Sequence, residues 1–200
     1  MSKKFVYLFS EGDASMRNLL GGKGSGLAEM TRINLPVPQG FTITTEACNN
    51  YFESGSKIAD DVKFQIEEAI KSLEEISGKK FGDPSNPLLV SVRSGARVSM
   101  PGMMDTILNL GINEEVAKAI ATLSDDERFA YDSYRRFVQM YSDVVMQVPK
   151  SLFEEHIDAI KEEKGIKSDS ELDVEDLKCL VKEFKQIYVD AIHEDFPEDP

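Results

Sequence analysis

The chain has 200 residues, 41% hydrophobic and 30% charged, with a formal charge of −13 at pH 7. A chain of this length can bury a sizeable core, and the balance is that of an ordinary globular protein rather than a disordered or fibrous one. The negative charge excludes nucleic acid and membrane surfaces as partners, because both present dense anionic charge that a binding protein neutralises with Lys and Arg. Most of the excess lies in the last quarter, where residues 151–200 hold 16 acidic residues against six lysines. Cys48 and Cys179 have neither a metal-ligand nor a disulfide-framework spacing, which fits a reducing compartment. The apolar run after Met1 is too short for a signal peptide and no stretch has the length of a membrane span, so a cytoplasmic location is expected.

Phe5 to Phe9 are apolar or aromatic and β-favouring, and Ser10-Glu11-Gly12-Asp13 ends the run: a strand, then a turn. After Gly21-Gly22-Lys23-Gly24, Leu27, Ala28, Met30 and Ile33 have helical spacing, so a loop feeds a helix at Lys23. Pro36 to Gly40 form a rigid connector, Phe41 to Thr44 a short strand, and Thr45 an N-cap for a helix to about Glu53. Val62, Ile66, Ala69, Ile70 and Leu73 mark a helical stripe that ends at Gly78. Leu88 to Val92, bounded by Pro87 and Ser94-Gly95, reads as a strand buried on both faces, and Thr106 to Leu110 as another strand.

From Glu114 onward the pattern is helical: Glu114 to Ala121, then Glu127 to about Val145 with Tyr134, Phe137, Val138, Tyr141, Val144 and Val145 as its buried stripe. Two more amphipathic helices follow, one burying Leu152, His156, Ile157 and Ile160, the other Leu177, Leu180, Val181, Phe184, Tyr188 and Ile192. The fold class is therefore α+β, with an α/β part over 1–112 and a helical part over 113–200.

Gly21-Gly22-Lys23-Gly24 has the components of a phosphate cradle: glycines that admit a close backbone approach, a helix start with unbonded N–H groups, and a lysine charge. It is not a Walker A loop, since Arg17 stands where Gly is required and Gly24 where Ser or Thr would hold magnesium. The same residues also serve as a plain glycine-rich helix entry with a solvated lysine. Ser91 to Thr106 is less easily explained that way. Arg93 and Arg97 follow a strand, and the loop after them, Met100-Pro101-Gly102-Met103-Met104-Asp105, combines adaptable apolar side chains with a glycine. Arginine offers phosphate a two-pronged donor, and ligands of α/β folds bind beyond the carboxyl ends of strands. Arg135 and Arg136 lie beside the stripe of their helix and neither faces the core; Arg136 follows Asp132 by one turn, which allows a local ion pair. His156 and His193 lack catalytic partners, and no metal-ligand spacing is present.

Ser15 to Gly24, Pro36 to Phe41, Ser91 to Gly111 and Arg128 to Phe137 together closely resemble the pyruvate, phosphate dikinase family, and the likeness runs through all 200 residues. The resemblance implies a partial ATP-grasp nucleotide-binding domain with a mixed sheet, followed by an α-helical subdomain. It also implies an enzyme that interconverts ATP, phosphate and pyruvate with AMP, pyrophosphate and phosphoenolpyruvate, using magnesium and a histidine outside this chain. Lys23 and Arg93 match the family's contacts to ATP phosphates, Arg97 and Arg136 match positions near the phosphate and nucleotide site, and Gly102, Met103, Met104 and Asp105 match the loop over the phosphates. Lys23, Arg93 and Arg136 are the expected catalytic groups. The magnesium ligands are expected on later strands, so this stretch alone should bind ATP weakly and not turn over. Its expected partners are ATP, phosphate, the remaining domains and further copies of the enzyme. The alternative is a free-standing module that binds a phosphorylated ligand or a protein through the same loop.

Overall fold

A computed structural model describes residues 3–95 and 105–199. They divide into two compact units: one runs to Gly78 and resumes at Ser94, and the other holds Lys79–Arg93 and everything from Asp105 onward. This line differs from the boundary read at residue 112, because the second pair of strands packs with the helices that follow it.

In the first unit, β1 (Val6–Leu8) pairs antiparallel with β2 (Phe41–Ile43) in the register Val6 to Ile43, Tyr7 to Thr42 and Leu8 to Phe41. The open edge of β1 is closed by a side chain. Gln65 accepts from the backbone N–H of Phe5 at 2.7 Å and Val6 at 3.2 Å and donates to the carbonyl of Lys3 at 2.9 Å, which satisfies donors that a two-stranded sheet otherwise exposes. Gln65 belongs to α3 (Asp60–Ser77), whose Val62, Ala69 and Leu73 are buried and whose end is set by Gly78 at φ 65°. Phe5, Val6, Ala47, Val62 and Ala69 form the core here. Thr44 rather than Thr45 caps α2 (Thr45–Glu53), accepting from the Ala47 N–H. Thr45 instead donates its hydroxyl to the Asn18 carbonyl at 2.8 Å.

The second unit contains β3 (Val90–Arg93) and β4 (Thr106–Leu110), again antiparallel, with Val92 opposite Ile107 and Arg93 opposite Thr106. Both described sheets are thus small and antiparallel, and helices carry most of the fold. The turn out of β4 needs glycine: Gly111 sits at φ 102°, and a Cβ there would lie 2.7 Å from the Leu88 carbonyl oxygen. Around this hairpin stand α4 (Glu114–Ser124), α5 (Glu127–Met140), α6 (Lys150–Lys164) and α7 (Val174–Ile192). α5 is the hub, packing against β4, α4 and α7. Tyr134, Val138, Phe153, Leu177, Leu180 and Phe184 are among its core residues.

Three sequence expectations change here. β3 is not buried on both faces: Leu88 is buried, but Val92 is 47% and Leu108 is 40% exposed, because one face of a two-stranded sheet has α5 against it and the other has no cover among the described residues. On α6 the buried residues are Phe153 and Ile157, whereas Leu152 and His156 are exposed, and His156 Nδ1 pairs with Glu183 at 2.9 Å. Beyond Met140 the chain makes a π-turn over Tyr141–Val145. The wider turn rotates the following side chains relative to a 3.6-residue repeat, so Ser142 is buried, donating to the Val138 carbonyl at 2.7 Å, and Val145 is exposed.

Candidate functional site

Helix α1 (Arg17–Arg32) is two helical segments joined at Gly21, whose φ of 71° and ψ of 175° lie in a region only glycine occupies comfortably. The break gives the segment from Gly22 its own N-terminus, where backbone N–H groups and the positive end of the helix dipole favour an anion. Ser25 stiffens the join by donating its hydroxyl to the Gly21 carbonyl at 2.7 Å. Gly24 fixes the position of the turn against the sheet, since a Cβ there would stand 2.8 Å from both Thr42 Cγ2 and Thr42 Oγ1. The expected feed into a helix at Lys23 is therefore a sharp break inside a longer helix. Lys23 itself is half-buried, and its Nζ donates to the Ser94 carbonyl at 3.0 Å. That bond ties the glycine turn to the residue with which the Ser94-Gly95 loop begins.

In the second unit Arg93 ends β3 and is exposed, and among the described residues it forms no ion pair. Because Arg93 faces Thr106 across the hairpin, the exposed Asp105 belongs to the same end of the sheet. Arg97, Gly102, Met103 and Met104 lie outside the described residues. Arg136 projects from α5 with its side chain 56% exposed, and its Nε contacts Asp132 Oδ2 at 3.0 Å. Arg136 lines a surface hollow of about 490 Å³ together with Arg135, Asp143, Lys150, Lys161 and Asp169.

Arg135 corrects the sequence reading, which placed it outside the core. Its side chain is only 4% exposed and is held by Asp132 Oδ1 at 2.6 Å, Asp169 Oδ2 at 3.6 Å and Gln139 Oε1 at 3.3 Å. A buried guanidinium needs such partners, because an unpaired charge in the interior is strongly disfavoured. Asp132 is thus shared by two arginines, a role the spacing Asp132, Arg135, Arg136 at i, i+3 and i+4 could have signalled. Arg128, which reads as part of the same motif, donates to the backbone carbonyls of Leu172 and Asp169, both at 2.8 Å, and so holds the segment before α7. In the same hollow, burial pushes the Asp143 carboxyl above its ordinary value, and its Oδ1 has no hydrogen-bond partner among the described residues.

Comparison with known proteins matches residues 17–64 and 55–172 to the family described as pyruvate phosphate dikinase, AMP/ATP-binding domain. The chain is 62% identical over 198 residues to pyruvate, phosphate dikinase of Clostridium symbiosum, covering 98% of this chain and 23% of that protein. It is 52% identical over 203 residues to the chloroplastic pyruvate, phosphate dikinase 1 of Zea mays, covering 100% of this chain and 21% of that protein. The chain belongs to the pyruvate phosphate dikinase AMP/ATP-binding domain family. It spans about a fifth of the length of these relatives. Among the described residues no three or more His, Cys, Asp or Glu side chains come together as a metal site, and no described helix is long and apolar enough to cross a membrane.

Proposed function

We propose that this chain is the front part of the nucleotide-binding region of a pyruvate, phosphate dikinase. The whole enzyme interconverts ATP, phosphate and pyruvate with AMP, pyrophosphate and phosphoenolpyruvate through a phosphohistidine carried outside these residues. Within it, Lys23 and Arg93 contact ATP phosphates, Arg97 and Arg136 serve near the phosphate and nucleotide, and Gly102, Met103, Met104 and Asp105 form the loop over the phosphates. The observation that carries this reading is the helix break at Gly21, which places Lys23 beside a fresh helix N-terminus. Phosphoryl transfer is served by positioning and by neutralising charge that develops on the phosphate oxygens, and Lys, Arg and backbone N–H groups supply both. Magnesium would shield the same oxygens, and its carboxylate ligands belong to the part of the enzyme outside this chain.

The ATP-grasp architecture, the location in the cytoplasm and assembly into a homo-oligomer belong to the same proposal. The decisive test is pyrophosphate formation from ATP and phosphate in a full-length protein carrying this chain. Arg93→Ala should reduce it by at least about 100-fold, the scale at which removing one preorganised charge partner is felt. A near-normal rate removes Arg93 from the mechanism.

A further inference from the structure

Among the groups assigned to phosphate, Arg136 has a carboxylate partner among the described residues, and the surroundings of that carboxylate point one step back from the ligand. An exposed arginine carries about 2 kcal/mol of rotamer entropy, so one that must meet an oxyanion in a fixed pose gains from being held beforehand. An exposed i,i+4 ion pair holds weakly, because both partners are mobile. Here the acid is not mobile. The Asp132 side chain is only 15% exposed, and its Oδ1 is engaged by Arg135, which is buried and clamped in turn by Asp169 and Gln139. Asp169 is fixed from two further sides, its carbonyl by Arg128 and its carboxylate by Lys161 at 3.1 Å. The remaining oxygen of Asp132, Oδ2, meets Arg136 at Nε. A guanidinium whose Nε faces one carboxylate retains its other edge, the Nη1 and Nη2 pair, for a two-pronged contact with a second anion.

We propose that Asp132 is a positioning residue, its carboxylate anchored by buried Arg135 so that the Nε contact presents the Nη edge of Arg136 to a phosphate oxygen pair. This rests on the assignment of Arg136 to the phosphate site, and the experiment separates the two. In a full-length protein carrying this chain, pyrophosphate formation from ATP and phosphate is measured with pyruvate present to take the phosphoryl group from the histidine, for Asp132→Asn, Arg136→Ala and the double variant, with kcat and the KM for phosphate determined separately and a thermal melt of each.

Asp132→Asn is expected to lower kcat/KM by roughly tenfold when Arg136 is present, the scale of a small misplacement, with the change mainly in the KM for phosphate. With Arg136 already Ala it should change kcat/KM by less than about twofold. Any loss of thermal stability acts through Arg135 and should be the same in both backgrounds, so a merely structural role predicts equal activity losses too. Equal losses overturn the proposal, as does an unimpaired Asp132→Asn beside an impaired Arg136→Ala. A near-normal Arg136→Ala overturns the assignment of Arg136 itself, and this inference with it. If Asp132→Asn does not yield folded protein, Asp132→Glu is read the same way, because it keeps the charge beside Arg135 and displaces the carboxylate by one methylene.

Discussion

Two glycines of one helix, Gly24 and Gly26, should respond oppositely to the same added methyl. At Gly26 a Cβ meets nothing within 4 Å, whereas at Gly24 it would stand 2.8 Å from Thr42 Cγ2 and Oγ1 and 3.2 Å from Leu20 Cβ. Replacing helical glycine by alanine gains about 0.5–1 kcal/mol from reduced backbone freedom in the unfolded chain. Gly26→Ala should keep that gain. Gly24→Ala should lose it to a steric cost of about 1–3 kcal/mol, because the clash is with a side chain rooted in β2 and the helix must lift away from the sheet. For a chain of this size about 1 kcal/mol moves Tm by roughly 2–4 °C, so the two variants should melt roughly 2–12 °C apart. Thr42→Ala removes both contacting atoms, and in the Gly24→Ala background it should restore most of the loss. Scanning calorimetry suits the comparison, because it resolves separate transitions where the two compact units melt independently. If Gly24→Ala melts at or above Gly26→Ala, or if Thr42→Ala brings no relief, the close approach of helix to strand does not hold Lys23 in place.

Phe153 is fully buried, with its ring edge-on to Phe184 at a centroid distance of 5.0 Å, while its neighbour Leu152 is 38% exposed. Phe153→Ala should therefore cost about 3–5 kcal/mol in denaturant unfolding, and Leu152→Ala should stay within about 0.5 kcal/mol of the parent; similar costs would restore the helical face read from sequence. Asp143 supplies a pH test. Burial is the largest cause of its raised pKa, with the Asp105 and Glu154 charges adding and the Val144 N–H and Lys150 opposing. A carboxyl whose folded pKa lies above its unfolded value favours the fold when protonated, and that contribution is lost as pH rises through the folded value. Asp143→Asn should thus raise Tm at pH 7 and lose the advantage as pH falls below the ordinary aspartate value of 3.8. A pH-independent difference would point to packing instead.

Elements whose burial repeats with one period over several turns were legible in the sequence. The stripe Val62, Ala69 and Leu73 and the stripe Leu177, Leu180, Val181, Phe184 and Tyr188 are buried as their spacing predicts, because a helix packed on one side must repeat near 3.6 residues. The face of α6 was not legible. Leu152, Phe153, His156 and Ile157 offer two overlapping stripes, and which one is buried depends on Phe184 of α7, a partner that local spacing does not contain. The π-turn at Tyr141–Val145 escaped for a related reason: the apolar residues continue in helical spacing while the backbone inserts an extra residue to seat Ser142 under Val138.

The candidate site divides along a similar line. The need for glycine at position 21 could be read because a backbone at φ 71° admits little else, so the requirement is written in a single residue type. The role of Arg135 could not, since burial of an arginine is set by distant acids. Asp169 lies 34 positions along the chain in a turn between α6 and α7, and it is that carboxylate, with Asp132 and Gln139, that makes an interior guanidinium tolerable. Asp132 then has two jobs that sequence spacing could not separate: balancing a charge inside the unit and holding another at its surface. A carboxylate that only balanced Arg135 could be replaced by any acceptor of the right length. One that also holds Arg136 must keep a second lone-pair direction free at a fixed angle, and asparagine can satisfy the first demand but not, with its amide turned outward, the second.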